Sequence, residues 1–175
     1  MIQALRDVFG VDETSVCLSE TNSVLIQIYD CYDCIPVSQR SYIKTKEEEP
    51  VHFTLNNPLS INVCFAALDN CLMDSADFSR CDFIIGNSNK IYFVEVKQVG
   101  ISKRRAARTD AILQLQATIN FLKDRIDFND TTLVAVICLK AKKAYPLQNA
   151  TRGAEMVAFK EQLNASLMEG QSATF

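Results

Sequence analysis

Asp82, Glu95 and Lys97 are the residues whose types and spacing could do chemistry together. Glu95 and Lys97 stand two apart in the β-rich run Ile91 to Lys97 (IYFVEVK). On a strand both project from one face, with Phe93 beside them, while Tyr92, Val94 and Val96 take the other. Asp82 lies in the preceding β-rich run, Cys81 to Ile85 (CDFII), and Gly86-Asn87-Ser88-Asn89-Lys90 between the two is a hairpin signal. A four-residue loop, Asn87 to Lys90, pairs Gly86 with Ile91, so that 83 meets 94 and 82 meets 95. Directly opposite residues share a face, which sets Asp82 beside Glu95. A five-residue loop would shift the register by one and turn Asp82 to the far side.

Two carboxylates about 5 Å apart on a sheet face repel unless something neutralises them. A divalent cation does this directly, and hard oxygen ligands without His or Cys suit Mg²⁺ or Mn²⁺. Such an ion can bind a phosphodiester oxygen and lower the pKa of a water. Lys97 could orient that water or stabilise developing negative charge. The set is fit for metal-assisted phosphodiester hydrolysis. The competing reading is a trio of cross-strand ion pairs on a solvated face, worth under about 1 kcal/mol.

The elements that must position these side chains are legible around them. A helix is predicted over 109–126, with Thr109 as cap and Asp110 in its first turn. Ile112, Leu115, Ile119, Leu122 and Ile126 form its apolar stripe, expected to pack on the hairpin sheet. Thr132 to Leu139 (TLVAVICL) reads as a strand buried on both faces, parallel to the ExK strand through a helical crossover. Upstream, 2–9 reads as a short helix ending at Gly10, and 23–29 and 51–55 read as strands. Residues 60–65 alternate as a strand does, with a helix starting at Pro58 as the alternative. Lys44 to Pro50 (KTKEEEP) reads as a solvated turn. A closing helix is predicted over 153–168, with Met156, Phe159, Leu163 and Leu167 on one face.

Asp82, twelve intervening residues and then Glu95-Val96-Lys97 after a hydrophobic strand resembles the PD-(D/E)xK nuclease superfamily. The stretch RCDFII…IYFVEVK, followed by Ala111-x-x-Gln114-Leu115-x-x-Thr118, is similar to small bacterial members of it. The resemblance covers about 80–140 and implies an α/β fold. Its mixed central sheet would have a restriction-endonuclease-like αβββαβ core, here with extra N-terminal strands. It implies metal ligation by Asp82 and Glu95 and catalytic roles for Lys97 and Gln114. Cys81 stands where the family name has Pro, and Thr118 stands where some subfamilies have a tyrosine. The resemblance also asks for an upstream acid. Asp69, in LDNCLMD, is the first candidate, with Asp74 and Asp77 behind it and Glu20 and Glu49 farther away.

Lys103, Arg104, Arg105 and Arg108 fall between the ExK strand and the predicted helix. Cations at a helix N-terminus oppose its dipole, which is tolerable where a phosphate arrives. This basic loop is the expected nucleic-acid-binding segment; its alternative is a solvated loop. Cys31-Tyr32-Asp33-Cys34 is a CxxC without a second one. A zinc site completed by Cys17, Cys64, Cys71 or His52 is weaker than idle thiols. His52 reads as a strand histidine rather than a catalytic base.

The whole chain bounds these readings. Its 175 residues suit one domain, and 18 basic against 21 acidic residues give a net charge of −3. That excludes binding nucleic acid by bulk charge and leaves a local basic site. The longest apolar run, Leu133 to Leu139, is far short of the roughly 20 residues of a membrane span. The opening MIQALRDVFGVDE has no apolar signal core, and an odd number of cysteines, seven, fits reduced thiols; a cytoplasmic location is expected. The function expected is a Mg²⁺- or Mn²⁺-dependent nuclease acting on DNA, with RNA and a homodimer left open. The rival is a catalytically degenerate module that binds nucleic acid or a protein partner.

Overall fold

The computed structural model describes residues 1–31, 41–74, 79–139 and 150–175, the side chains of 150–152 excepted. Along the chain run α1 (Ile2–Phe9), β1 (Leu18–Thr21), β2 (Leu25–Asp30), β3 (Ser41–Ile43), β4 (Phe53–Asn56), β5 (Val63–Ala67), β6 (Phe83–Gly86) and β7 (Lys90–Lys97). A 3-10 turn (Ile101–Lys103) leads into α2 (Arg104–Lys123), followed by β8 (Thr132–Leu139), α3 (Ala150–Leu163), β9 (Ala165–Glu169) and β10 (Ser172–Thr174).

The apolar runs make the centre. β5, β6 and β7 form an antiparallel meander, β8 lies parallel to β7, and β1 and β9 complete a mixed sheet in the order β1-β5-β6-β7-β8-β9. The meander β5, β6, β7 is followed by α2 and β8, and β1 to β4 lie between α1 and the meander. β10, β4, β2 and β3 form a second mixed sheet.

Because β5 to β8 are apolar on both faces, both faces must be covered. One face meets the helices: Phe93, Ala135 and Ile137 pack with Leu115, Ile119 and Leu122 of α2 and Phe159 of α3. The other meets the second sheet: Val94, Val96, Phe65 and Phe83 pack with Ile26, Ile28, Phe53 and Leu55. Phe83 joins the layers, its ring centroid 5.9 Å from Phe53 and 5.7 Å from Phe65. Both α2 packing and the α/β class with its mixed central sheet are as expected.

The hairpin has the four-residue-loop register: Gly86 pairs with Ile91 and Phe83 with Val94. Two residues fix it. A Cβ at Gly86 would lie 2.3 Å from the Lys90 carbonyl oxygen, so only glycine fits that approach. Asn87 Oδ1 accepts from the backbone N–H groups of Asn89 (2.9 Å) and Lys90 (3.1 Å), closing the turn locally.

Four expectations are corrected. α2 begins at Arg104, and Thr109 lies inside it, its hydroxyl turned back to the Arg105 carbonyl. The closing helix stops at Leu163, where Asn164 takes a positive φ of 47° and turns the chain into β9. Leu167 is buried all the same, because the alternation of Ala165 and Leu167 serves a strand as well as a helix face. The alternating segment is shifted along the chain, its strand starting at Val63. Cys17 and Cys71 are joined by a disulfide rather than reduced. No helix among the described residues is long and apolar enough to cross a membrane.

Candidate active site

Strand alternation puts Phe93 and Glu95 on the helix face of β7, while Val94 and Val96 enter the core between the sheets. Lys97 continues the helix-side row and is half-buried against α2, its Nζ donating to Glu95 Oε1 (2.6 Å) and Gln114 Oε1 (2.5 Å). Gln114 Nε2 donates to the Arg80 carbonyl at 3.0 Å. A carbonyl only accepts, so the amide must turn its oxygen toward Lys97. The lysine is thereby held by two acceptors, one from the strand and one from the helix.

Asp82 arrives where the β6–β7 ladder ends. Its backbone N–H donates to the Val94 carbonyl (3.1 Å), and its Oδ2 accepts the Val96 N–H at 2.6 Å. The carboxylate thus replaces a main-chain acceptor beside Glu95. Thr118 of α2 supports the approach from below: its hydroxyl accepts the Cys81 N–H at 2.8 Å.

Glu95 is the most unusual group. Its side chain is 2% exposed, and among the described residues its Oε2 has no hydrogen-bond partner. Burial pushes its pKa up to about 7, against the pull of Lys97, and the charges of Asp30 and Asp69 add to the rise. Burial also drives Asp82 well above the ordinary carboxylate range, with the charges of Glu95 and Asp30 raising it further and the Val96 N–H and Lys97 opposing.

Asp30 was not singled out from the sequence. It is buried at the end of β2, its carboxylate accepting from the Ser41 hydroxyl (2.8 Å) and its N–H donating to His52 Nδ1 (3.0 Å). The signal was present: Ile26, Ile28 and Asp30 alternate, so Asp30 shares the inward face. Arg80 was also missed. It is buried and pairs with Asp69 at 2.6 Å.

Asp69 does lie next to Asp82, its N–H 3.3 Å from the Asp82 carbonyl, but its carboxylate is turned to Arg80 and to the Asn70 side chain. Asp74 is exposed, and Glu49 is bonded to Tyr42. Glu20 is bonded to Asn62, and Asp77 lies outside the described residues.

The basic segment divides. Lys103 ends the 3-10 turn, and Arg104 and Arg105 open α2; Lys103 and Arg105 are exposed. Arg108 is not a loop residue: it is 9% exposed and ion-paired with Glu155 of α3 and Glu169 of β9. It was expected to grip nucleic acid and instead clamps two elements to α2. Cys34 lies outside the described residues. His52 is buried just before β4, as a structural histidine is, and Cys17 and Cys71 are spent on each other.

Two carboxylates, one of them with an oxygen unpartnered among the described residues, stand where a metal ion would bind. Among the described residues no three His, Cys, Asp or Glu side chains converge as a ready metal cage. Mg²⁺ does not need one: it is commonly held by one or two carboxylates, with waters and substrate phosphate completing six oxygens. The donor set of Asp82 and Glu95, with Oε2 of Glu95 desolvated and unsatisfied, fits such an ion. No protein-family model matches this chain, and no curated protein and no solved structure is significantly similar to it.

Proposed function

We propose that the protein is a metal-dependent nuclease that hydrolyses phosphodiester bonds, with DNA as the first substrate class. The observation that carries this reading is the buried Oε2 of Glu95, unsatisfied among the described residues, beside Lys97 and Asp82. Asp82 and Glu95 would hold Mg²⁺ or Mn²⁺, which supplies charge stabilisation at the phosphoryl group and acidifies the attacking water. Lys97 offers its ammonium to the reacting phosphate, where negative charge develops. Gln114, oriented by the Arg80 carbonyl, keeps that ammonium in place. Lys103 and Arg105, exposed at the start of α2, contact the flanking phosphates.

A second reading is a degenerate module that binds nucleic acid or a protein partner without cleaving. It is favoured by the Lys97–Glu95 pair, which neutralises the buried acid without a metal, and by the engagement of Asp69 with Arg80. The deciding experiment is cleavage of mixed DNA and RNA substrates with Mg²⁺ or Mn²⁺, comparing the wild type with Lys97→Ala. An active nuclease loses turnover in the variant and keeps nearly all of its nucleic-acid affinity, because the lysine acts at the reacting phosphate. Turnover that is insensitive to Lys97→Ala contradicts the site. Salt-sensitive binding without any turnover favours the module.

A further inference from the structure

We propose that the Cys17–Cys71 disulfide is a redox clamp on the turn 68–73, and through it on the Asp69–Arg80 pair at the back of the candidate site. Cys17 immediately precedes β1, and its carbonyl accepts the N–H of Ala67 at the end of β5 (2.9 Å). Cys71 sits in the turn that follows β5, so the bond ties that turn to the strand entry across a sequence separation of 54.

The turn faces the site on its other side. The Asp82 carbonyl accepts from both Leu68 (2.9 Å) and Asp69 (3.3 Å), and Asp69 holds Arg80 at 2.6 Å. The Arg80 carbonyl then orients Gln114 against Lys97. Within the turn, Cys71 and Met73 both donate to the Leu68 carbonyl, and Asn70 takes a positive φ of 52°. A non-glycine residue in that conformation is held by its surroundings. The covalent bond at the next residue is one of those restraints.

The bond is chemically addressable. Cys17 and Cys71 are both half-buried rather than sealed, whereas Cys64, Cys81 and Cys138, which form no disulfide, are buried. Burial pushes the Cys64 thiol up to about 12, so it is a poor internal attacker. The reductant is a dithiol. Its thiolate attacks one sulfur of the bond to give a mixed disulfide, and its second thiol displaces the protein sulfur. The dithiol gives up two electrons and two protons and closes to a cyclic disulfide; Cys17 and Cys71 take them up as two thiols.

The test is amide hydrogen exchange on the full chain, oxidised and dithiothreitol-reduced, in the wild type and in Cys17→Ser/Cys71→Ser. Reduction of the wild type should speed exchange at 68–73 roughly tenfold, as local opening does, with β7 and β8 unchanged. The double variant should exchange as fast without reductant and show no further response to it. Cys31 is disulfide-bonded as well, so a dithiothreitol response that persists in the double variant assigns the effect there and overturns the clamp. Unchanged exchange at 68–73, or acceleration spread evenly over β7 and β8, overturns it too. Should the double variant not fold, Cys31→Ser retains the Cys17–Cys71 bond, and its response to dithiothreitol decides by the same criteria. Exchange is read whether or not the protein cleaves nucleic acid, so the clamp and the nuclease reading fail separately.

Discussion

Glu95 concentrates the electrostatics of the molecule. Its pKa stands near 7 in the fold against 4.5 for an ordinary glutamate. An acid that holds its proton more tightly when folded destabilises the fold as that proton is lost. Stability therefore falls as pH rises from about 4.5 to about 7 and levels off above. Asp82, also raised, acts in the same direction. Urea unfolding of the wild type should show this fall, and Glu95→Gln should flatten it; an unchanged slope in the variant would assign the titration to other groups. Metal binding needs the carboxylate, so Mn²⁺ affinity should weaken on acidification through about pH 7, read by calorimetry.

At the level of elements, α2 separates cations that look alike in the sequence. Arg108 points between α3 and β9 onto Glu155 and Glu169, and Glu169 is only 11% exposed. Removing the arginine takes away the cation that joins these two carboxylates, so Arg108→Ala should destabilise by about 3 kcal/mol in urea unfolding. Arg105 and Lys103 are exposed, and their Ala variants should change stability by less than about 0.5 kcal/mol. Each should instead weaken nucleic-acid binding and lower its salt slope by about one counterion, seen in anisotropy titrations over a range of salt. A salt slope that responds to Arg108 and not to Arg105 would reverse this division of labour.

The whole molecule enters the site through the second sheet. β2 packs Ile26 and Ile28 under β7 and delivers Asp30 to the end of the sandwich, where its charge raises both Glu95 and Asp82. Gln98, just past Lys97, reaches the Asp30 carbonyl at 3.4 Å and ties the two layers there. Asp30→Asn keeps the side-chain shape and removes the charge. It should move the Glu95 titration below about 7, followed by carboxyl NMR. An unmoved titration would leave the second sheet a structural support only.

Local signals determined much of this protein. The alternation Phe93-Glu95-Lys97 fixes which face the acid and the lysine share, and Gly86 with Asn87 fixes the hairpin register that brings Asp82 to the same strand end. The stripe Leu115, Ile119 and Leu122 likewise determines that α2 covers that face. These are period and turn effects, carried by neighbours in the chain. What only the tertiary structure decided are partnerships across long separations. Arg108 reads as a phosphate-gripping cation until Glu155 and Glu169 are brought to it, and Asp69 reads as a ligand until Arg80 takes its carboxylate. Cys17 and Cys71 are idle thiols in the sequence and a covalent bond in the fold. Leu167 satisfies a helix period and a strand period alike, and only the open edge of β8 selects the strand. In each case side-chain type permits several partners, and the free energy of burial and charge pairing chooses among them once the layers have closed.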